Sequence, residues 1–336
     1  MNIAKCKSCG FILNTSPNIR DIEGVCTACI NKDRKIDIDF TERQSWLTDY
    51  ILQNKTNENY DCLVAVSGGK DSTVIVRKLF EDHGVKKALL VNVTDNFTHT
   101  KAGQQNLSNI LDKFNCDLIT YEINPAELAQ HMREDLEDSL NPIKWLEEQI
   151  YAIPLELAKN FNIKLVFYGE NPNFEYGSSK ELDIFHRATT DEIKVIYMGA
   201  IYPYSAPEWF ALAQQVGFVD LDYYNEWQRQ GHIENYSQID SIGYSMGIWT
   251  KFVKFGFQRV SDIACRLVRD GALGFDQAQQ LIKEQDYICD PSSKRDFCRS
   301  INITEEYFDS MVDKHANLDL VVKDINGHWR RKDLLD

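Results

Sequence analysis

The chain has 336 residues, 43% hydrophobic and 26% charged, with 37 basic against 51 acidic side chains and a formal net charge of −14. That length suits one large α/β domain with an appendage, or two domains, and excludes a disulfide miniprotein. An acidic surface works against nucleic-acid binding, which draws on clustered Lys and Arg, and no stretch approaches the ~20 apolar residues of a membrane span, so neither partner is expected.

The first residues carry no apolar segment behind Lys5, so they do not read as a secretory signal and a cytoplasmic protein is expected. Four of the nine cysteines follow at once, as Cys6-x2-Cys9 and Cys26-x2-Cys29 with sixteen residues between the pairs. Two tight turns at this spacing present four thiolates to one tetrahedral ion, which predicts a structural Zn²⁺ site with no open position; an iron-sulfur centre is the second reading. Residues 1–35 are therefore read as a zinc knuckle and residues 36–59 as a helical connector.

From residue 60 apolar runs alternate with helical stretches: strands over 62–66, 87–94, 117–123 and 164–168, and helices over 72–82, 101–114, 125–138 and 143–161. Crossovers of that length give parallel pairing, so residues 60–204 are predicted to form a doubly wound α/β domain whose strand carboxyl ends converge on the ligand site. Residues 205–336 read as a mostly helical substrate lobe, with helices over 207–216, 261–270, 275–284 and 304–314.

After the first of these strands comes Ser67-Gly68-Gly69-Lys70-Asp71-Ser72. Adjacent glycines let an anion approach backbone N–H groups, and the following helix offers its positive end. Ser67 and Ser72 supply hydroxyls, Lys70 a charge, and Asp71 a Mg²⁺ ligand or a helix cap. The string differs from the G-x-x-x-x-G-K-[ST] loop of the P-loop NTPases.

This string resembles the pyrophosphate loop of the adenine-nucleotide α-hydrolase-like ATP pyrophosphatases (PP-loop enzymes). The resemblance implies that Ser67, Gly68, Gly69, Lys70, Asp71 and Ser72 hold ATP, with Mg²⁺, for cleavage between its α and β phosphates. Two further runs, Tyr168-Gly169-Glu170-Asn171-Pro172-x-x-Glu175-Tyr176-Gly177 and Tyr244-x6-Lys251-Phe252-x-Lys254-Phe255-Gly256-Phe257-x-Arg259, together with the four cysteines, are similar to the N-acetyl sugar amidotransferases. In that family, of surface-polysaccharide (including lipopolysaccharide) and nonulosonic-acid pathways, an acetamido group is adenylated on oxygen and ammonia replaces AMP to give an acetamidine. The implied substrate is an anionic N-acetylated sugar, either a UDP-sugar or a nonulosonic acid. A separate glutaminase is the implied ammonia source, because no glutaminase signature is visible.

Lys70, Asp71, Glu170 and Asn171 are the expected catalytic residues, the last two because they follow a strand that ends at the cleft. Lys254, Arg259, Arg266 and Arg269 belong to a segment of five basic residues against one acid and are expected to clamp the substrate's anionic groups. Cys62, Cys116 and Cys265 read as core residues, Cys289 and Cys298 as a possible pair, and no histidine forms a second metal motif. Two other functions compete with the sugar amidotransferase: a tRNA-thiolating PP-loop enzyme, which would want a basic surface and reactive cysteines, and a zinc-ribbon adaptor with a degenerate nucleotide site.

Overall fold

A computed structural model describes residues 3–17, 21–55, 58–169 and 183–335. The N-terminal segment is not loop throughout: a hairpin of β1 (Asp21–Ile22) and β2 (Val25–Cys26) leads directly into α1 (Thr27–Arg34). The connector is α2 (Phe40–Asn54), whose N-cap Asp39 accepts a hydrogen bond from the Glu42 amide at 2.9 Å.

Five parallel strands form the central sheet, β3 (Cys62–Ala65), β4 (Ala88–Thr94), β5 (Cys116–Glu122), β6 (Leu165–Tyr168) and β7 (Lys194–Tyr197), in the order β5-β4-β3-β6-β7. The crossover direction reverses between β3 and β6, which makes the fold doubly wound and opens a crevice at their carboxyl ends. Strand β7 was not foreseen; it pairs in parallel with β6, from Leu165 opposite Lys194 to Tyr168 opposite Tyr197.

Side-chain alternation divides the core. Val64, Leu90, Phe167 and Ile196 face α3 (Lys70–Glu81) and α4 (Lys101–Lys113), whereas Leu63, Leu89, Val166 and Val195 face the opposite layer. That layer includes α6 (Lys144–Asn160), preceded by α5 (Pro125–Ser139). Pro154 interrupts α6, so the Ile150 carbonyl lacks its helical donor.

Beyond the sheet lie α7 (Ala206–Gln214), the short α8 (Leu221–Tyr224), α9 (Tyr244–Phe255), α10 (Arg259–Arg269), α11 (Phe275–Gln285), α12 (Pro291–Ser300) and α13 (Glu305–His315). A hairpin of β8 (Val321–Lys323) and β9 (Trp329–Arg331) closes the chain. Helix α9 escaped sequence reading because it is buried on nearly all sides, Met246, Ile248, Trp249, Phe252 and Val253 included, so no polar face marks its period.

Hydrophobic packing does not break at residue 204. Trp209, Phe218, Leu221 and Trp227 join the core on the α3 face, and α5 shares a cluster with α9, α12 and α13. The knuckle has no separate core either. Phe11, Ile12, Ala28 and the four cysteines pack with Phe257, Val260, Ala264 and Ile282, the Phe11 and Phe257 rings meeting edge-on at 4.7 Å. Among the described residues no helix is long and apolar enough to cross a membrane.

Candidate active site and metal centre

The pyrophosphate-like loop forms the turn between β3 and α3. Gly68 adopts φ +82°, and a Cβ there would lie 2.5 Å from the Gly103 carbonyl of α4; Gly69 has a negative φ and its Cβ position meets only Ser67 Oγ, at 3.2 Å. The two glycines therefore serve different ends. Gly68 is required by backbone shape and by close approach of α4, and Gly69 leaves the loop surface open.

Lys70 opens α3 and is 2% exposed. Its ammonium donates to both carboxylate oxygens of Asp71 at 2.7 and 2.8 Å and to the Tyr204 hydroxyl at 2.8 Å. Ser67 Oγ accepts from the Gly69 amide at 3.3 Å, and Ser72 Oγ donates to the Gly69 carbonyl at 2.9 Å. Both hydroxyls thus brace the turn.

The loop forms one wall of a cavity of about 370 Å³, within the range of small-ligand pockets. The carboxyl ends of β3, β4 and β6 meet there through Val66, Val93 and Tyr168. Asp95, just past β4, accepts from the Phe97 amide at 2.9 Å and the Ser241 hydroxyl at 3.1 Å, and burial raises its carboxyl above the ordinary range. Asp240 beside it is pushed up to about 6, first by burial and further by the charge of Asp95. Opposite them α6 presents Glu147, Ile150, Tyr151 and Pro154, with Glu147 accepting from the Tyr244 hydroxyl at 3.2 Å. Asp240 and Glu147 had no signal in the sequence, since neither belongs to a motif and each reaches the cavity from a different element, whereas Tyr244 opens the run that leads to Lys251 and Arg259.

The basic segment divides. Arg259, the first residue of α10, lines the cavity, and the Arg266 guanidinium stands 5.3 Å from the centroid of the Tyr204 ring whose hydroxyl Lys70 holds. Lys254 and Arg269 go elsewhere. Lys254 donates to the Ser139 carbonyl at the end of α5 (3.0 Å), and burial, reinforced by Lys251, lowers its ammonium to about 8. Arg269 Nη1 lies 3.7 Å from Cys9 Sγ. Lys254 belongs to α9, and within α10 the parting of Arg269 from Arg259 follows from helical geometry, in which residues seven apart differ by roughly 20° around the axis and residues ten apart by roughly 80°. Glu170 and Asn171 lie outside the described residues; Gly169, just before them, would bring a Cβ to 3.5 Å from that of Asp71.

The sulfurs of Cys6, Cys9, Cys26 and Cys29 all lie within 4.8 Å of one another, with Cys6–Cys29 and Cys9–Cys26 both at 3.7 Å. A tetrahedral ion with metal–sulfur bonds of about 2.3 Å needs sulfur–sulfur edges of about 3.8 Å, so the four thiols fit a metal ion. The Cys26 amide donates to Cys6 Sγ at 3.3 Å, an arrangement that favours thiolate there. Cys62, Cys265 and Cys298 are buried as free thiols, Cys116 is half-buried, and Cys289 is likewise free, lying 3.7 Å from Met246 Sδ rather than bonded to Cys298.

Residues 230–333 match the family model described as the C-terminal domain of WbpG-like LPS biosynthesis proteins. This WbpG-like region contributes Ser237, Asp240, Tyr244 and Arg259 to the cavity wall. Two solved structures are similar to the chain. An NH3-dependent NAD synthetase from Campylobacter jejuni subsp. jejuni NCTC 11168 is 14% identical, with 56% of this chain and 78% of that one covered and a TM-score of 0.38. An NMN synthetase from Francisella tularensis is 12% identical, with 79% and 94% covered and a TM-score of 0.36. No curated protein matches the chain significantly.

Proposed function

We propose that the protein is an ATP-dependent amidotransferase that converts a sugar N-acetyl group to an acetamidino group in bacterial surface-polysaccharide synthesis, on a UDP-sugar or a nonulosonic acid. The observation that carries this reading is the union of the Ser67–Ser72 loop, at the switch point of a parallel sheet, with a cavity wall from the WbpG-like region. The loop offers N–H groups and the buried Lys70 to a pyrophosphate tail, and the strand ends Val91 to Asp95 offer a place for the nucleoside.

An amide carbon is a poor electrophile, which the reaction overcomes in two steps. The acetamido oxygen attacks the α-phosphorus of ATP and displaces pyrophosphate, giving an O-adenylyl imidate. Ammonia then adds to the imidate carbon, and AMP departs with the former carbonyl oxygen, leaving the amidine. Lys70 and Arg259 stabilise charge on the departing pyrophosphate, and the cavity walls keep out water that would return the imidate to the amide. Mg²⁺, held by Asp71 once the nucleotide draws Lys70 away, would supply further neutralisation. Glu170 and Asn171 orient the ammonia and the amide, and a separate glutaminase supplies the ammonia. The four cysteines hold a structural Zn²⁺, since thiolates in this geometry match its preference.

The test is to incubate the protein with ATP, Mg²⁺, ammonium and N-acetylated UDP-sugars or nonulosonic acids whose acetyl oxygen carries a heavy isotope. The expected result is AMP bearing the heavy oxygen together with a product in which NH replaces O. Release of AMP triggered by tRNA, or no AMP with any sugar, would overturn the reading.

A further inference from the structure

Helix α10 touches two sites with two faces. Arg259 and Arg266, roughly 20° apart around the axis, belong to the cavity and to the Tyr204–Lys70 contact. Cys265 and Arg269 are four residues apart, so they share a different face. That face meets the cysteine cluster: Arg269 Nη1 approaches Cys9 Sγ at 3.7 Å, and Cys265, fully buried, packs with Cys9 in one hydrophobic cluster. Cys265 is not a fifth ligand, because the group whose sulfurs all lie within 4.8 Å comprises Cys6, Cys9, Cys26 and Cys29.

Four thiolates around a divalent ion leave a buried centre with a net charge of about −2, which calls for N–H donors and a counter-charge. Arg269 brings both. Its guanidinium belongs to the last residue of α10, at the negative end of the helix dipole, where a cation is favoured. The knuckle thus holds the last turn of α10 by charge and the rest by packing of Phe11 and Ala28 against Phe257, Val260 and Ala264. Ten residues of helix span about 15 Å, and a rigid helix carries rotation along that length with little loss.

We propose that α10 is a coupling rod: the metal-loaded thiolate centre, through Arg269 and Cys265 as positioning residues, sets the rotation of α10 and so aims Arg259 and Arg266 at the pyrophosphate loop. The metal centre would then control anion affinity as well as stability. The anion part of this inference rests on the proposed nucleotide site; the mechanical part does not.

The experiment uses the full chain as parent, Arg269→Met, Arg269→Lys and Cys265→Ala. Metal affinity is read by chelator competition and, with Co²⁺ in place of the native ion, from the sulfur-to-cobalt absorption. Inorganic pyrophosphate binding is read by calorimetry, and α10 mobility by hydrogen exchange over residues 259–266. Arg269→Met should weaken metal binding by about 10–100-fold and shift the cobalt spectrum, with Arg269→Lys recovering part of the loss. In the metal-loaded protein it should also weaken pyrophosphate binding several-fold, although residue 269 is not in the cavity. Cys265→Ala should change the cobalt spectrum without abolishing it. Stripping the metal from the parent should raise exchange over residues 259–266 while the sheet amides stay protected. Unchanged metal affinity in Arg269→Met, or metal loss that leaves α10 protection unaltered, would overturn the coupling. A parent that shows the exchange effect but binds no pyrophosphate would instead defeat the nucleotide-site reading and leave the mechanical link standing.

Discussion

Lys70 Nζ donates to the Tyr204 hydroxyl at 2.8 Å, tying the first residue of α3 to the segment that follows β7. The ammonium is shielded from water, and its other bonds go to Asp71, so Tyr204 fixes the direction in which the charge is presented. A charge-assisted hydrogen bond of this kind contributes about 1.5–3 kcal/mol. Tyr204→Phe should therefore lower stability by up to about that amount and also weaken pyrophosphate binding, because the ammonium loses the contact that aims it, and Lys70→Met should abolish AMP formation. Calorimetry with inorganic pyrophosphate and an AMP-release assay check the pair; equal affinity in Tyr204→Phe would remove this role from the tyrosine.

Gly68 is the loop position least able to accept a side chain. Its φ of +82° costs a non-glycine residue about 1–2 kcal/mol, and the Gly103 carbonyl blocks a Cβ. Gly68→Ala should lower the midpoint of thermal unfolding and weaken ATP binding together. Gly69→Ala should leave stability within about 1 kcal/mol of the parent, and any loss should fall on ATP binding. Calorimetric melts and ATP titrations separate the two, and a Gly68→Ala protein as stable as the parent would contradict the backbone argument.

Asp286 caps α10 from outside: its carboxylate accepts from the Ser261 amide (2.9 Å) and hydroxyl (2.6 Å) and from the Gln258 amide. Burial nonetheless pushes its carboxyl up to about 7. The folded form therefore holds this proton more tightly than the unfolded chain, whose carboxyl titrates near ~3.9. Its contribution to stability is complete below that lower value and is lost as pH rises through about 7, with a slope of up to about 1.4 kcal/mol per pH unit. Asp286→Asn removes the slope, so its stability relative to the parent should climb from roughly pH 4 to pH 7 in urea-unfolding series. Parallel curves for the two proteins would show that the residue does not titrate in this range.

Because the knuckle shares a core with α10 and α11, it should not melt alone. Phe11→Ala deletes a ring packed edge-on against Phe257 and should cost about 3–5 kcal/mol. Calorimetry should show a single lowered transition that includes the C-terminal helices. A separate early transition at the N-terminus, with the remainder unchanged, would mean that the knuckle is an independent unit.

A good part of the architecture was legible because local rules carried it. Strands β3, β4, β5 and β6 and helices α3 to α6 have runs that can be read directly, and Pro207 and Thr304 sit where first-turn and capping rules place them. The four-cysteine spacing likewise announced a shared centre. Helix α9 was hidden because nearly complete burial erases the polar face on which such reading depends. The basic run from Lys251 to Arg269 looked like one anion clamp, since charge along a chain says nothing about which face a helix turns to which neighbour.

From the sequence by itself came the alternation of strand and helix, the phosphate-type loop and the thiolate quartet, because each is a short-range pattern that backbone sterics or ligand spacing enforces. Only the tertiary structure decided that Lys70 meets Tyr204, that Asp240, Glu147 and Tyr244 border the same cavity, and that the N-terminal cysteines rest on a helix more than two hundred residues away. Those pairings depend on which apolar faces bury one another, a property of the whole chain's packing that no local pattern encodes.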